Sequence, residues 1–468
     1  MKQKILYLLF WFVLFPSGIQ AQCFSSIYFA GTHTVGQKTD GTLWCWGYGT
    51  SGQLGNGSDF SSYVPIMLSS VTTWQMVKPG KINTFAIKSN GTLWGTGSNL
   101  YGSLGIGAAS GHYSVLSQIG TATNWKAIFP SENYTIGIKI DNTLWSWGAN
   151  FYNQIGDGTG VQRNSPVQIG GTADWKTVAS SRCNATVAIK TNGTLWGWGS
   201  NGCYVFGASD VTSFVVPQQL TLSTATDWDQ VVGGGGHFLA LKTDGTLWGW
   251  GSGGAGQTGR DPMQDFTSYE LNQIPGNWKA MGAGSRFSMG IKTDGTLWQW
   301  GNNDITEVDP SPTNYSFVPI QVGTASTWES ISCCDYNAVG LRTDGSIWAW
   351  GLNTVGQLGN GTTTTENVPT LIPIVGCDLA TPQFEVRSTF VVTPIPVTDQ
   401  LQVTYQGKEN IDAIVVYDLS GKAVYRIAAM GTAAFSSSFP IGQLATGSYV
   451  LSLQNAGKAV MSKQFVKQ

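Results

Sequence analysis

Charged side chains are scarce in this sequence. Lys and Arg number 25 and Asp and Glu 27 among 468 residues, 11 % together, against about 25 % in an ordinary soluble domain. The formal net charge of −2 offers no basic excess, which removes the electrostatic term that nucleic-acid binding needs. Only three histidines occur, His33, His112 and His237, and the seven cysteines lack metal-ligand spacing, which argues against zinc. Metalloprotease, nucleophile-elbow and calcium-loop patterns are missing too. Gly197 to Gly202 and Gly249 to Gly254 fit GxGxxG, but with no helix to follow they are no dinucleotide site. We therefore expect no catalytic residue, no metal and no cofactor. Long apolar runs are absent except at 5–15, and that run is too short to span a bilayer. Lys2 and Lys4 precede it, and Pro16 and Ala21 follow. Residues 1–21 thus read as a cleaved signal peptide, leaving no integral membrane segment.

Glycine, at 61 residues, and tryptophan, at 20, are abundant. Few charges with many glycines and aromatics describe short strands joined by tight turns. The chain also repeats itself. KTDGTLWCWG at 38–47 returns as KSNGTLWGTG (88–97), KIDNTLWSWG (139–148), KTNGTLWGWG (190–199), KTDGTLWGWG (242–251), KTDGTLWQWG (292–301) and RTDGSIWAWG (342–351). Its tryptophans, Trp44, Trp94, Trp145, Trp196, Trp248, Trp298 and Trp348, recur every 50 to 52 residues. Another aromatic lies 20 or 21 residues before each: Phe24, Trp74, Trp125, Trp175, Trp228, Trp278 and Trp328. Within a unit, a segment such as 238–242 alternates like a half-buried strand. Asp244-Gly245 then turns the chain and 246–250 returns. Three or four strands in about 50 residues make one propeller blade, which must stack on its neighbours to bury both faces. Apart from Trp11, every tryptophan falls in a repeat register, so the tryptophans are assigned to core packing. The basic series from Lys38 to Arg342 is expected to be solvated at turn edges.

The pattern TDGTLWGWGSNxxGQLGxG followed by a Val-Pro strand, clearest at 342–362, resembles the regulator of chromosome condensation repeat. The resemblance covers about 24–377 and implies a seven-bladed β-propeller, with strands from both ends of the array sharing one blade at a seam. Activities within the family differ. The eukaryotic namesake exchanges nucleotide on a small nuclear GTPase, which an export signal sets aside. A plant ultraviolet-B receptor uses tryptophans of a Gly-Trp-Arg-His motif. The matching positions here are Gly31, Lys81, Glu132, Cys183, Gly235, Ser285 and Asp335, with no tryptophan among them. A secreted bacterial inhibitor of β-lactamase works purely by protein binding and is the nearest functional analogy.

The tryptophan repeat stops at 377. Alternating strands then recur between Ser-Gly, Thr-Gly and Ala-Gly turns, as in a small immunoglobulin-like β-sandwich. Pro396 to Val403, the run from Tyr417 to Gly421, the run from Leu444 to Tyr449, and Lys463 with Lys467 resemble the type A C-terminal sorting domain of type IX secretion, known from Bacteroidetes. An adhesion module of the same fold is the alternative. The expected organisation is all-β: signal peptide 1–21, propeller 22–377, linker 378–389 and sorting domain 390–468. The resemblance implies the type IX machinery as one partner and a secreted or outer-surface location.

Two site expectations follow. Cys23 and Cys377 flank the array, and a disulfide between them would lock the ring. The position eleven residues before each repeat tryptophan varies, and so does the position before it. His33, Asn83, Tyr134, Asn184, His237, Arg286, Phe287, Tyr336 and Asn337 are therefore the candidate partner-binding face. The leading functional reading is an exported, non-catalytic module that binds a protein or a surface component. An extracellular glycan-binding protein or enzyme is the alternative, and nucleotide exchange a third.

Overall fold

The repeat folds because its turn residues satisfy one another. In the first unit Asp40 Oδ1 accepts hydrogen bonds from Thr42 N (2.8 Å) and Thr42 Oγ1 (2.6 Å). Thr42 Oγ1 in turn accepts from Trp44 Nε1 at 3.0 Å. All seven units carry this relay, with Asn90 and Asn192 in the Asp place and Ser346 in the Thr place. The recurring Asp/Asn-x-Thr/Ser-x-Trp run is thus a turn that orients its own indole. The basic residue before each turn is not the solvated group expected. Its cation lies over the indole face, at 3.8 Å for Lys38 over Trp44, 3.5 Å for Lys292 over Trp298 and 3.9 Å for Arg342 over Trp348. Two such residues, Lys38 and Lys190, are buried, because cation–π attraction offsets part of the lost hydration.

The computed structural model describes residues 24–207, 212–261, 270–302, 315–374, 389–393, 397–418, 422–455 and 458–468. The proposed signal peptide, both Cys23 and Cys377, and 303–308 in the sixth repeat's degenerate turn lie outside the described residues. So does the expected linker, apart from Thr389. The chain divides into two compact units, Met1–Leu379 and Ala380–Gln468.

In the first unit, seven four-stranded antiparallel sheets follow one another as blades, at 24–69, 74–118, 125–169, 175–219, 228–274, 278–321 and 328–371. Each sheet keeps chain order, and among the described residues blade 7 holds four consecutive strands and takes none from the N-terminal end. Among those residues the mixed seam expected from the family resemblance is therefore not present. Blade 7 meets blade 1 through an apolar core that includes Phe24, Trp46, Val339, Ile347 and Leu358, of the same kind as the other six junctions. In every blade but the second, where Thr96 stands, the second tryptophan of the WxWG segment enters the junction with the preceding blade. Trp147 of blade 3 donates Nε1–H to Ser103 O of blade 2 at 2.9 Å, and Trp198 of blade 4 does so to Gln154 O of blade 3 at 3.0 Å. A Cβ on Gly105 would stand 2.7 Å from Trp147 Nε1, and Gly156 and Gly359 meet Trp198 and Trp46 in the same way, so these three glycines are required by the indole of the next blade.

First strands lie nearest the axis, and their ends meet around one cavity. Fourth strands are the outer edges. Pro65, Pro166, Pro217, Pro319 and Pro369 interrupt their free N–H rows, which blunts edge-to-edge pairing.

The second unit is one hydrogen-bonded sheet of five strands. Its two longest strands, Gln400–Asp418 and Ala423–Pro440, pair along their length. The unit's core holds Val392, Leu401, Val403, Tyr405, Ile414, Val416, Leu451 and Phe465, in keeping with the all-β tail that alternation predicted.

Candidate functional site

The turn between the first and second strands and the loop between the third and fourth open on the same face of every blade. Tyr48 N donates to Thr32 O at 2.9 Å, joining loop to turn. Equivalent bonds run from Ser98 to Ile82, Ala149 to Asn133, Ser200 to Asn184, Ser252 to Gly236 and Asn302 to Arg286. Variable residues can accumulate on this face because the turns at the other end are committed to the Asp–Thr–Trp relay.

The expected binding face needs correction. His33, Asn83, Tyr134, His237, Phe287 and Asn337 are buried, at 0 to 7 % exposure. Each opens a second strand and points between blades rather than outward. His33 Nε2 reaches Thr84 Oγ1 and His237 Nε2 reaches Ser288 Oγ, both at 2.8 Å. Tyr134 Oη meets Thr186 Oγ1 at 3.0 Å. These residues vary because several polar or aromatic groups can bridge adjacent blades. Burial pushes the imidazoles of His33 and His237 down to about 3, so both are neutral. Asn184, Arg286 and Tyr336, from the neighbouring register, do reach the surface.

Sequence reasoning missed two features of this face. The first is apolar. Leu100 (44 %), Phe151 (63 %) and Tyr152 (55 %) are exposed on consecutive blades, and the Tyr101 and Phe151 rings meet edge-on at 5.4 Å. The equivalent pairs elsewhere are Thr50-Ser51, Gly202-Cys203, Gly254-Ala255 and Thr354-Val355. The signal was therefore available in the two free positions before each QLG turn.

The second is the mouth of the axial channel, a cavity of about 180 Å³. That is smaller than the ~300–1,000 Å³ of ordinary ligand pockets. Lys81 pairs with Glu132 on the next blade, and Arg182 of blade 4 pairs with Asp335 of blade 7. The Gly31 to Asp335 positions thus line this mouth or its rim, except that in blade 4 the place is taken by Arg182. That blade has one extra residue between its first tryptophan and its second strand, and Cys183 is displaced outward. Cys183 forms a disulfide with Cys203, with Cα atoms 6.2 Å apart, a pairing the sequence reading did not anticipate. It ties the inner turn of blade 4 to its outer loop. Among the described residues no three His, Cys, Asp or Glu side chains converge as a metal site.

Comparison with known proteins agrees with this architecture. The model of the secretion system C-terminal sorting domain matches 391–468. Models of the regulator of chromosome condensation (RCC1) repeat match 40–87, 141–186 and 344–377, and 228–257 and 328–357. The chain is 26 % identical over 251 residues to the mitochondrial RCC1 domain-containing protein RUG3 of Arabidopsis thaliana, covering 50 % of this chain and 55 % of that one. It is 26 % identical over 232 residues to the ultraviolet-B receptor UVR8 of the same plant, covering 48 % and 53 %. The chain thus spans about half the length of these relatives. Among solved structures, yeast RCC1 (Prp20) bound to Kap60 superposes with a TM-score of 0.63 at 17 % identity, over 74 % of this chain and 85 % of that one. That is a likeness in fold.

Proposed function

From its make-up as a propeller of regulator of chromosome condensation repeats carrying a secretion system C-terminal sorting domain, we propose that this exported protein is a non-catalytic module that binds another protein through its loop face. The observation that carries this reading is the asymmetry of that face. The repeat needs only small or polar residues before each QLG turn, yet blades 2 and 3 place Leu100, Phe151 and Tyr152 in water. Exposed aromatics grouped on one side, with Arg286 on blade 6 and Tyr336 on blade 7, have the composition of a binding surface. In this reading 1–21 is the cleaved signal peptide and 378–389 the linker. The domain at 390–468 engages the type IX machinery, leaving the propeller released or held at the outer surface.

The test is capture by the full-length protein from extracellular and surface fractions, followed by reconstitution with the purified captured species. One protein bound stoichiometrically, and lost with Phe151→Ser/Tyr152→Ser while the thermal midpoint stays put, is the expected result. Retention on a polysaccharide array with no protein captured would replace this reading with glycan binding.

A further inference from the structure

The inner turns of the blades are fastened to one another around the axis. Thr32 Oγ1 donates to Lys81 O at 2.9 Å. Arg182 N donates to Gly234 O at 3.2 Å, Gly235 N to Gly284 O at 3.0 Å and Ser285 N to Asp335 O at 2.8 Å. Blade 1 is thus joined to blade 2, and blades 4 to 7 in series, by bonds outside the sheets. The mouth cavity of about 180 Å³ therefore has a fixed rim. A cavity of ~150 Å³ holds a six-membered carbon ring, so this one has room for a molecule of about that size, with anything longer standing outside the mouth.

The lining mixes carbon with hydrogen-bonding groups. Phe29, Pro79 and Pro130, from blades 1, 2 and 3, supply carbon. Ser181 of blade 4 borders the same cavity and is buried. Its hydroxyl has no hydrogen-bond partner. The four charged side chains of the lining neutralise one another, Lys81 with Glu132 and Arg182 with Asp335. Pairing uses only part of their bonding capacity, because the cations keep further N–H donors and the carboxylates further lone pairs.

This lining selects a class of ligand. A charged molecule must break an ion pair or leave its own charge unpaired in the mouth, and either is costly. A hydrocarbon leaves the Ser181 hydroxyl dry. Hydroxyl groups both donate and accept, so they serve Ser181 and both signs of paired charge, while the carbon between them lies on the prolines and Phe29. We infer that the axial mouth binds a neutral polyhydroxylated molecule the size of a single sugar ring, with Ser181 as its anchor. The ring has two sources, a free sugar or the end of a longer glycan. The site stands apart from protein capture by the loop face.

The test uses the full-length protein and saturation-transfer difference NMR. Glucose, galactose, mannose and arabinose are titrated separately, with sodium acetate and choline chloride as charged controls. Saturable binding of at least one sugar, tighter than either control, is expected. Ser181→Ala removes a hydroxyl that bonds to nothing in the free protein, so its thermal midpoint should hold while affinity falls about threefold to tenfold. Ser285→Phe sets a ring in the mouth from a half-buried position on the inner turn of blade 6. It should keep the thermal midpoint and abolish binding. The tightest sugar is then compared with an oligosaccharide that ends in it. Tighter binding of the oligosaccharide identifies the end of a glycan, and equal or weaker binding a free sugar. No saturable binding of any sugar, a control that binds more tightly, or unchanged affinity in either variant overturns the site. The sugars need no protein partner, so their failure leaves capture by the loop face standing, and failed capture leaves this site standing.

Discussion

Gly359 of the last blade lies directly beneath the indole nitrogen of Trp46 in the first, so close that a Cβ would overlap the ring. Its φ of +78° also belongs to the left-handed region. Gly359→Ala therefore carries two penalties and is expected to cost about 2–4 kcal/mol. Gly361, with φ +80° and no atom nearer than 3.7 Å, incurs only the backbone penalty. Thermal midpoints of the two variants, with limited proteolysis at the junction of blades 7 and 1, separate the effects. Equal losses would show that the indole contact does not hold the ring closed.

The turn relay predicts a graded series at Thr194. Its hydroxyl donates to Asn192 Oδ1 at 2.8 Å and accepts from Trp196 Nε1 at 2.9 Å. Thr194→Ser copies the natural Ser346 arrangement and should be nearly neutral. Thr194→Val removes both bonds and strands an indole N–H, at about 1–3 kcal/mol. Denaturant midpoints would order them, and equal stability of Ser and Val would refute the relay.

The repeat was legible because each of its residues answers a local demand: Asp or Asn for the turn, Thr or Ser for the indole and, at Gly105, Gly156 and Gly359, glycine for the next blade's tryptophan. Blade number and strand order follow from that register. The site was less legible, since variation alone does not tell a loop from a junction. His33, Tyr134 and Phe287 vary as much as surface residues, yet they are buried between blades, where any group able to reach the adjacent second strand suffices. The Arg182–Asp335 pair joins residues 153 positions apart, and the disulfide depends on one extra residue in the turn of blade 4. Only the closed ring reveals the ion pair, and only the fold of blade 4 the disulfide.

Stability should fall in mild acid. His33 and His237 titrate near 3 when folded and near 6.5 when unfolded. Between those values the unfolded chain binds more protons, so each lowers stability as pH drops through 6.5, by about 2 kcal/mol at pH 5. Above pH 6.5 neither contributes. His33→Asn/His237→Asn places in both slots the residue that Asn83 and Asn337 already supply. Comparing urea midpoints at pH 7 and pH 5, the variant should lose less in acid than the parent. Identical acid sensitivity would place its origin elsewhere.

Reduction should loosen blade 4. Cys183 and Cys203 are separated by 20 positions, and closing such a loop constrains the unfolded chain by about 3 kcal/mol. Dithiothreitol, or Cys183→Ser/Cys203→Ser, is expected to lower the thermal midpoint and to raise hydrogen exchange first around 181–207. Uniform exchange across all seven blades would argue against a local brace.

Because every blade is completed by four consecutive strands, no strand must wait for a distant partner before its sheet is whole. A chain threaded N-terminus first through a narrow passage can finish each blade in the order it emerges, adding it to the one before. The single long-range event is the last docking of blade 7 on blade 1, a surface contact and not a strand exchange. Assembly is thus a series of short-range steps ending in one closure, and cutting the ring at any other blade boundary, with the ends rejoined, should yield the same molecule.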